Sequence, residues 1–188
     1  MRILMLGNSL TTAHGLPNQL AELLGAEVVV HARGGARLAE QLNPKTRLGA
    51  RTQEALASER WDIVSLQEMS NAPCVTRERF VASASKLCEQ VRSSDAVPLL
   101  YATWPYAKGS PRLEKIGLTF DEMRHELHAA YHEVAAATGA FVADVGEAFC
   151  EANNPERLWS RDGVHPTAEG AQLAAQVIAE TIKMSQLP

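Results

Sequence analysis

Short apolar runs alternate along the chain with longer stretches in which apolar and polar residues are mixed. The short runs are continuously apolar, which is typical of parallel strands that are covered on both faces. Glycine, proline, asparagine or charged residues bound each run. The pattern predicts five strands: Arg2–Leu6, Glu27–His31, Asp62–Leu66, Pro98–Thr103 and Ala140–Asp144.

In the longer stretches, apolar residues recur every three or four positions, which is the period of amphipathic helices. Thr119 and Glu122 have capping-box spacing, and Gly139 suits the end of the helix that they begin. A similar pattern predicts another helix around residues 48–56. The four clearest apolar faces are Leu16, Leu20, Leu23 and Leu24; Phe80, Ala84, Leu87, Cys88 and Val91; Met123, Leu127, Tyr131 and Val134; and Leu173, Val177, Ile178 and Ile182.

Strands that alternate with helices predict right-handed crossovers and a three-layer α/β/α sandwich around a mostly parallel five-stranded sheet. We expect one domain over residues 1–188, because the length suits one and neither a repeat nor a linker interrupts the pattern. In such a sheet, ligands bind beyond the carboxyl ends of the strands. Candidate site residues should therefore follow strands.

Composition and charge argue against several classes of function, and they add little to the prediction of the fold. The net charge is −4 with both signs mixed along the chain, so no basic surface suggests a nucleic-acid or membrane partner. Cys74, Cys88 and Cys150 form no CxxC pair, so the sequence supports neither a zinc knuckle nor a redox dithiol. No apolar run approaches the roughly 18 to 20 residues that span a bilayer, and the N-terminal run is too short for a secretory leader. We expect a cytoplasmic protein.

Ser9 directly follows the first predicted strand and precedes a predicted helix. Its hydroxyl would be exposed at the sheet edge, near helix N–H groups that favour an oxyanion. A hydroxyl is a weak nucleophile until a base takes its proton. Taken alone, the position fits equally well a serine that caps the helix or turns the chain.

The segment Asp162-Gly163-Val164-His165 could supply the base. A carboxylate three residues before a histidine can fold back to one ring nitrogen and leave the other to accept a proton. Gly163 gives the backbone freedom for that turn, and Pro166 starts the helix that fixes His165. A solvated turn before a helix would give the same pattern.

Gly7-Asn8-Ser9-Leu10 and the segment 162–167 together resemble the first and last conserved blocks of the SGNH (GDSL-type) hydrolases. The resemblance spans nearly the whole chain, with the blocks in the right order. It implies a flavodoxin-like α/β/α fold and the hydrolysis of esters or thioesters without a metal or an organic cofactor. It also implies Ser9 as nucleophile, His165 as base and Asp162 as the partner that orients it.

The resemblance further implies an oxyanion hole. The Ser9 backbone N–H would be one donor, and a glycine of the second block, for which we favour Gly35, would be another. In the third block, Gly-x-Asn-Asp in the family, Asn71 falls on the asparagine. Gln67 stays open as an alternative side-chain amide.

This sequence departs from the family pattern in two blocks. Asn8 replaces the usual aspartate of the first block, which keeps the shape and hydrogen bonding but removes a charge. The third block has Met69 in place of its glycine and Ala72 in place of its final aspartate. These changes are the reason that Gln67 competes with Asn71.

The stretch from Trp104 to Leu118 is too long for a plain strand-to-helix turn, and loops of this length are often functional. We expect Trp104 and Tyr106 to line the substrate pocket, although packing that anchors the loop is the alternative. His14 could line the pocket too, and a role in starting the next helix is equally compatible with its position.

Two further patterns are interpreted as neither a metal site nor a cofactor site. His125, His128 and His132 share a helix face but lack the HExxH pattern, so we interpret them as an exposed polar face and predict no metal site. Gly34-Gly35 lacks the other glycines of a dinucleotide fingerprint, and no phosphate-binding loop motif occurs. We therefore predict no cofactor.

The sequence predicts a serine esterase that hydrolyses a small carboxylic ester, with an acetyl or short acyl group and an alcohol that could be a carbohydrate. The alternative is a weak or inactive binding module on the same fold that recognises an acylated glycan or a protein partner. The intact Ser9, Asp162 and His165 favour the enzyme.

Overall fold

The predicted strands form one parallel sheet in the computed structural model, which describes residues 1–185. The strands are β1 (Arg2–Gly7), β2 (Glu27–Ala32), β3 (Ile63–Leu66), β4 (Val97–Tyr101) and β5 (Phe141–Ala143). Their order is β2-β1-β3-β4-β5, and every neighbouring pair is parallel. This is the order of flavodoxin-like doubly wound folds.

Within the described residues, ten helices and two short 3₁₀ turns connect the strands. The predicted helices correspond to five of them, and the other five have only four to seven residues. The helices are α1 (Ser9–Thr12), α2 (Leu16–Leu24), α3 (Leu38–Gln41), α4 (Arg47–Ser58), α5 (Ala72–Val75), α6 (Arg77–Ser93), α7 (Pro111–Ile116), α8 (Phe120–Thr138), α9 (Val145–Glu151) and α10 (Ala168–Met184), and the turns are Ala13–Gly15 and Pro155–Arg157.

Both faces of the sheet carry a buried core, because successive residues of a strand point to opposite sides. Leu4 and Leu6 of β1 belong to a cluster that includes buried side chains of α6 and α8. Ile3 and Met5 belong to a second cluster, which includes residues of α2 and α10. The predicted three-layer sandwich is confirmed, and the double burial explains why the strands are continuously apolar.

The strand bounds differ slightly from the predicted ones. β4 ends at Tyr101 rather than at Thr103, and β5 covers three residues instead of five. Asp144 lies outside β5 because it is the N-cap residue of α9. The capping box of Thr119 and Glu122 is present, with both reciprocal hydrogen bonds.

The topology places a crevice between the carboxyl ends of β1 and β3. The chain leaves β1 toward β2 on one side and returns to β3 on the other, so the crevice is the switch point at which doubly wound folds bind ligands. Ser9 follows β1, and the segment 67–71 follows β3. No helix among residues 1–185 is long and apolar enough to cross a bilayer.

Candidate active site

Ser9 is positioned by a tight junction between β1 and α1. A Cβ atom at Gly7 would clash with the Thr11 Oγ1 and the Gln67 Oε1 atoms, so only glycine allows β1 to end this close to the segment that follows β3. The next residue, Asn8, caps α1 by accepting a hydrogen bond from the Leu10 N–H at 3.1 Å. Ser9 is then the first residue of α1 and is half-buried.

The departure at Asn8 has a structural reason. The side chain is only 3% exposed, and its Nδ2 donates a hydrogen bond to the Ala36 carbonyl at 3.1 Å while its Oδ1 caps α1. A carboxylate could accept from Leu10 but could not donate to Ala36. The amide therefore links the β1–α1 junction to the segment after β2, which carries Gly35.

The His165 ring lies between Asp162 and Ser9, and Ser9 precedes His165 by 156 positions in the sequence. Its Nε2 lies 2.9 Å from the Ser9 Oγ, and its Nδ1 lies 2.6 Å from the Asp162 Oδ2. A carboxylate only accepts hydrogen bonds, so Nδ1 carries the proton. In the neutral ring, Nε2 is then the acceptor for the Ser9 hydroxyl. The three side chains form one continuous hydrogen-bonded chain.

The turn from Asp162 to His165 fixes the carboxylate. Its Oδ1 accepts from the N–H groups of Val164 and His165, both at 3.0 Å, and Gly163 has a φ of +68° that favours glycine. Partial burial raises the pKa of Asp162, but the hydrogen bonds from the His165 ring and the two N–H groups outweigh it and lower the pKa to about 2. Asp162 is therefore ionised at neutral pH.

Trp104 does not line the cleft, so its predicted role in the pocket is wrong. It is 1% exposed and stacks on Phe149 with the ring centroids 4.1 Å apart. Its indole N–H donates to the Val164 carbonyl at 2.9 Å, and the Ala107 N–H donates to the Gly163 carbonyl at 2.8 Å. The loop after β4 is thus anchored by Trp104 and Ala107 to the turn that carries His165, so the role of Trp104 is packing that anchors the loop.

Ser9, Gly35 and Asn71 line a cleft of about 310 Å³. The backbone N–H groups of Ser9 and Gly35 make no hydrogen bond with any other residue in the described part of the chain. Asn71 also lines the cleft, and its Oδ1 is buried without a partner. The accessible end of that side chain is consequently its NH₂ group.

Gln67, the alternative amide, lies below the cleft. It is 1% exposed, and its Oε1 accepts from the Asn8 N–H at 3.0 Å and the Thr11 hydroxyl at 2.9 Å. Its Nε2 donates to the Glu68 carbonyl. Both ends of the Gln67 side chain are used inside the protein, so among the two candidates only Asn71 has an amide directed to the cleft.

A buried carboxylate connects the two sides of the cleft. Glu68 accepts hydrogen bonds from the Met69 N–H at 2.7 Å and from the Leu38 N–H at 3.2 Å. Burial raises its pKa, and the two N–H groups and nearby Arg37 oppose that rise. The segment after β3 is thereby tied to the start of α3, a few residues beyond Gly35.

The remaining lining differs in part from the prediction. Tyr106 lines the cleft, with its hydroxyl 3.1 Å from the Ser70 Oγ. His14 does not: it lies exposed on the 3₁₀ turn after α1. Arg112 of α7 was not singled out by the sequence, although the long loop that contains it was, and it forms no ion pair with any described residue.

A second group of polar side chains lies away from the cleft. His128 and His132 of α8 meet Asp144 at the end of β5, and their ligand atoms are close enough together to hold a metal ion. The third histidine of the helix face, His125, is not part of this group. None of the three lines the cleft.

The parallel sandwich and the hydrogen-bonded Ser9, His165 and Asp162 at its sheet edge define a hydrolase of the SGNH type. The chain belongs to the GDSL-like Lipase/Acylhydrolase family, whose model matches residues 5–173. No curated protein sequence matches it.

Among solved structures, a candidate SGNH hydrolase from Slackia heliotrinireducens is 52% identical, with a TM-score of 0.94 and coverage of 97% of this chain and 98% of that one. The acetyl xylan esterase AlAXEase is 18% identical, with a TM-score of 0.75 and coverage of 97% and 100%. A lipase/acylhydrolase from Enterococcus faecalis is 21% identical, with a TM-score of 0.68 and coverage of 98% and 97%. The last two similarities show the fold alone.

Proposed function

We propose that the chain is a carboxylic ester hydrolase in which Ser9 is the nucleophile, His165 the general base and Asp162 its orienting partner. The observation that carries the proposal is the continuous chain of hydrogen bonds, 2.6 Å and 2.9 Å long, that ends on the Ser9 hydroxyl. A serine that only capped a helix would need neither partner. Ser9 lies in an open cleft beside unpaired N–H donors, as acyl transfer requires.

In the first half of the reaction, the Ser9 Oγ attacks the ester carbonyl carbon while His165 Nε2 takes the hydroxyl proton. The carbonyl oxygen becomes an oxyanion, which accepts hydrogen bonds from the N–H groups of Ser9 and Gly35 and from the Asn71 NH₂. The ionised Asp162 holds the ring in the tautomer that leaves Nε2 free and stabilises the imidazolium that forms.

In the second half, the imidazolium gives its proton to the alcohol oxygen as the bond to the carbonyl carbon breaks. The acyl group then remains on the Ser9 Oγ. A water molecule loses a proton to His165 Nε2 and attacks the acyl carbon, and the proton returns to Ser9 as the acid leaves. Only residues of the chain and water take part in these steps.

The cleft supports a small ester as the substrate. A volume of about 310 Å³ holds an acetyl or short acyl group with part of its alcohol, and the Tyr106 and Ser70 hydroxyls offer polar contacts to an alcohol such as a sugar. The unpaired Arg112 at the same cleft favours esters that also carry a negative charge. The structural similarity to an acetyl xylan esterase is compatible with an acetylated carbohydrate.

Labelling with a fluorophosphonate probe, together with hydrolysis of p-nitrophenyl acetate, tests the proposal. The wild type should be labelled and active, and Ser9→Ala should be neither. Ser93→Ala is the matched control, because Ser93 is an exposed serine on α6 whose hydroxyl contacts only its own helix. A folded wild type that is neither labelled nor active would contradict the hydrolase and favour the binding module. Equal labelling of Ser9→Ala would contradict Ser9 as the nucleophile.

A further inference from the structure

The group formed by His128, His132 and Asp144 has the geometry of a metal-binding site. His128 and His132 are one helical turn apart on α8, with their ring centroids separated by 4.1 Å. Asp144 follows β5 and faces them. Its Oδ1 lies 2.9 Å from the His132 Nε2 and 3.7 Å from the His128 Nδ1.

The ligand atoms suit a single ion. Zn²⁺ binds imidazole nitrogen and carboxylate oxygen at about 2.0 to 2.2 Å, so the donors of one tetrahedral ion lie roughly 3 to 4 Å apart. The three donor atoms here all lie within 4.8 Å of one another. The side chains are about one-third to one-half exposed, so the imidazole rings have room to rotate. Small rotations suffice to bring the donor atoms to the separation that one ion requires.

The scaffold holds the ligands in place before an ion binds. α8 has 19 residues and begins with a complete capping box, which keeps His128 and His132 on one face. Asp144 does not use its side chain to cap α9, so the carboxylate is available to the histidines. Spacing of four residues between two histidines on a helix is also the arrangement that helical zinc sites use.

The surrounding charges favour a cation. Glu147 lies near both histidines, and the hydrogen bond from Arg124 is the main cause that lowers its pKa. Arg124, the nearest cation lining this region, is paired with Glu147 and Glu151. The positive charge of Arg124 is therefore already balanced by two carboxylates. It would not oppose an ion bound by the two histidines and Asp144.

We propose that His128, His132 and Asp144 bind a first-row divalent transition metal such as Zn²⁺, with water in the remaining coordination position. Imidazole and carboxylate ligands suit these ions. The site is separate from the Ser9 cleft: β5 is three strands away from β1, which amounts to roughly 14 Å of sheet. The ion would link α8 to the junction of β5 and α9, so its effect is on stability rather than on ester hydrolysis.

Titration calorimetry and thermal unfolding of the full chain with ZnCl₂ test the site. We expect a dissociation constant on the order of 10 μM or tighter. At a hundredfold excess over that constant the unfolding temperature should rise by about 5 to 10 °C, and EDTA should reverse the rise. His132→Ala and Asp144→Asn should each weaken binding at least about tenfold, because each removes one of three ligands.

His125→Ala is the matched control, since it removes an exposed histidine from the same helix outside the cluster. It should bind Zn²⁺ as the wild type does. Far-UV circular dichroism without metal checks that the variants fold. The proposal is overturned if the wild type does not bind, if His132→Ala and Asp144→Asn bind as tightly as the wild type, or if His125→Ala loses as much affinity as they do.

Discussion

Replacing Asn8 by aspartate, the residue usual in the family, should destabilise this chain. The new carboxylate could still accept from the Leu10 N–H, but its second oxygen would face the Ala36 carbonyl, which is 3.1 Å from the present Nδ2 atom. The substitution loses one hydrogen bond, worth about 1 kcal/mol, and leaves the buried Ala36 carbonyl without a donor and facing a carboxylate oxygen, which costs about 1 to 3 kcal/mol more. The expected loss is about 2 to 4 kcal/mol.

Urea unfolding followed by circular dichroism measures this loss, and thermal unfolding should show a fall of about 4 to 15 °C. The loss should depend on pH. Burial beside a carbonyl oxygen raises the pKa of the new carboxyl, and its protonated form can donate to Ala36. Stability retained at low pH is then lost as the pH rises through that raised pKa, so the deficit should be smaller at pH 4 than at pH 8.

Asn153→Asp is the control for Asn8→Asp, because it makes the same change of charge at an exposed position of the loop before α10. Its stability should stay within about 0.5 kcal/mol of the wild type. If Asn8→Asp is as stable as Asn153→Asp at pH 8, the hydrogen bond from Asn8 to Ala36 does not explain why this chain has an amide there.

Four other substitutions test the cleft. Asn71→Ala should lower kcat about 10²- to 10³-fold with little loss of stability, whereas Gln67→Ala should chiefly lower the urea midpoint; the reverse pattern would make Gln67 the oxyanion donor. Asp162→Asn should be less stable than the wild type above pH 3.8, the ordinary carboxyl pKa, because the ionised carboxylate stabilises the fold there. In urea unfolding this difference in the free energy of unfolding should vanish as the pH falls through about 2, and a difference that does not change with pH would contradict the lowered pKa. Arg112→Gln should raise KM about three- to tenfold for a hemisuccinate ester and leave p-nitrophenyl acetate unaffected; equal effects on both esters would exclude charge recognition.

The fold was predictable because the three central strands β1, β3 and β4 are buried on both faces. Alternate residues of β1 belong to different core clusters, so its sequence is continuously apolar. The predicted helices instead have apolar residues at every third or fourth position. The five short helices could not be predicted, since four to seven residues cover less than two turns and leave no period. Asp144 was assigned to a strand because its role as an N-cap depends on the fold beyond it.

The candidate site was predictable only where its residues are close together in the sequence or lie in segments that resemble the conserved blocks of the family. The turn from Asp162 to His165 is local, but its approach to Ser9 spans 156 positions and rested on the resemblance. Trp104 was misassigned because an apolar ring after a strand gives the same pattern in a pocket wall and in a core. His128 and His132 were dismissed because Asp144, from another element, is what makes them a cluster.

Asn71 and Gln67 show most clearly that the sequence lacks the tertiary contacts that distinguish two candidate oxyanion donors. Both are amides that follow β3, and both could reach the crevice. They differ in that Gln67 meets the Asn8 N–H and the Thr11 hydroxyl, which come from the β1–α1 junction. Such contacts between distant segments are fixed only when the sheet is assembled.

The same contacts explain how the cleft can hold its donors in place. Gln67 bonds to Asn8, Asn8 bonds to Ala36, and Glu68 bonds to Leu38, so three loops are tied together by buried hydrogen bonds beneath the cleft. Loops joined in this way cannot shift independently, and donors held in advance need no reorganisation when an oxyanion forms. Substitutions in this network should therefore lower the free energy of unfolding, as expected for Gln67→Ala, and should lower kcat by much less than the 10²- to 10³-fold expected for Asn71→Ala, because none of these side chains would touch the reacting carbonyl.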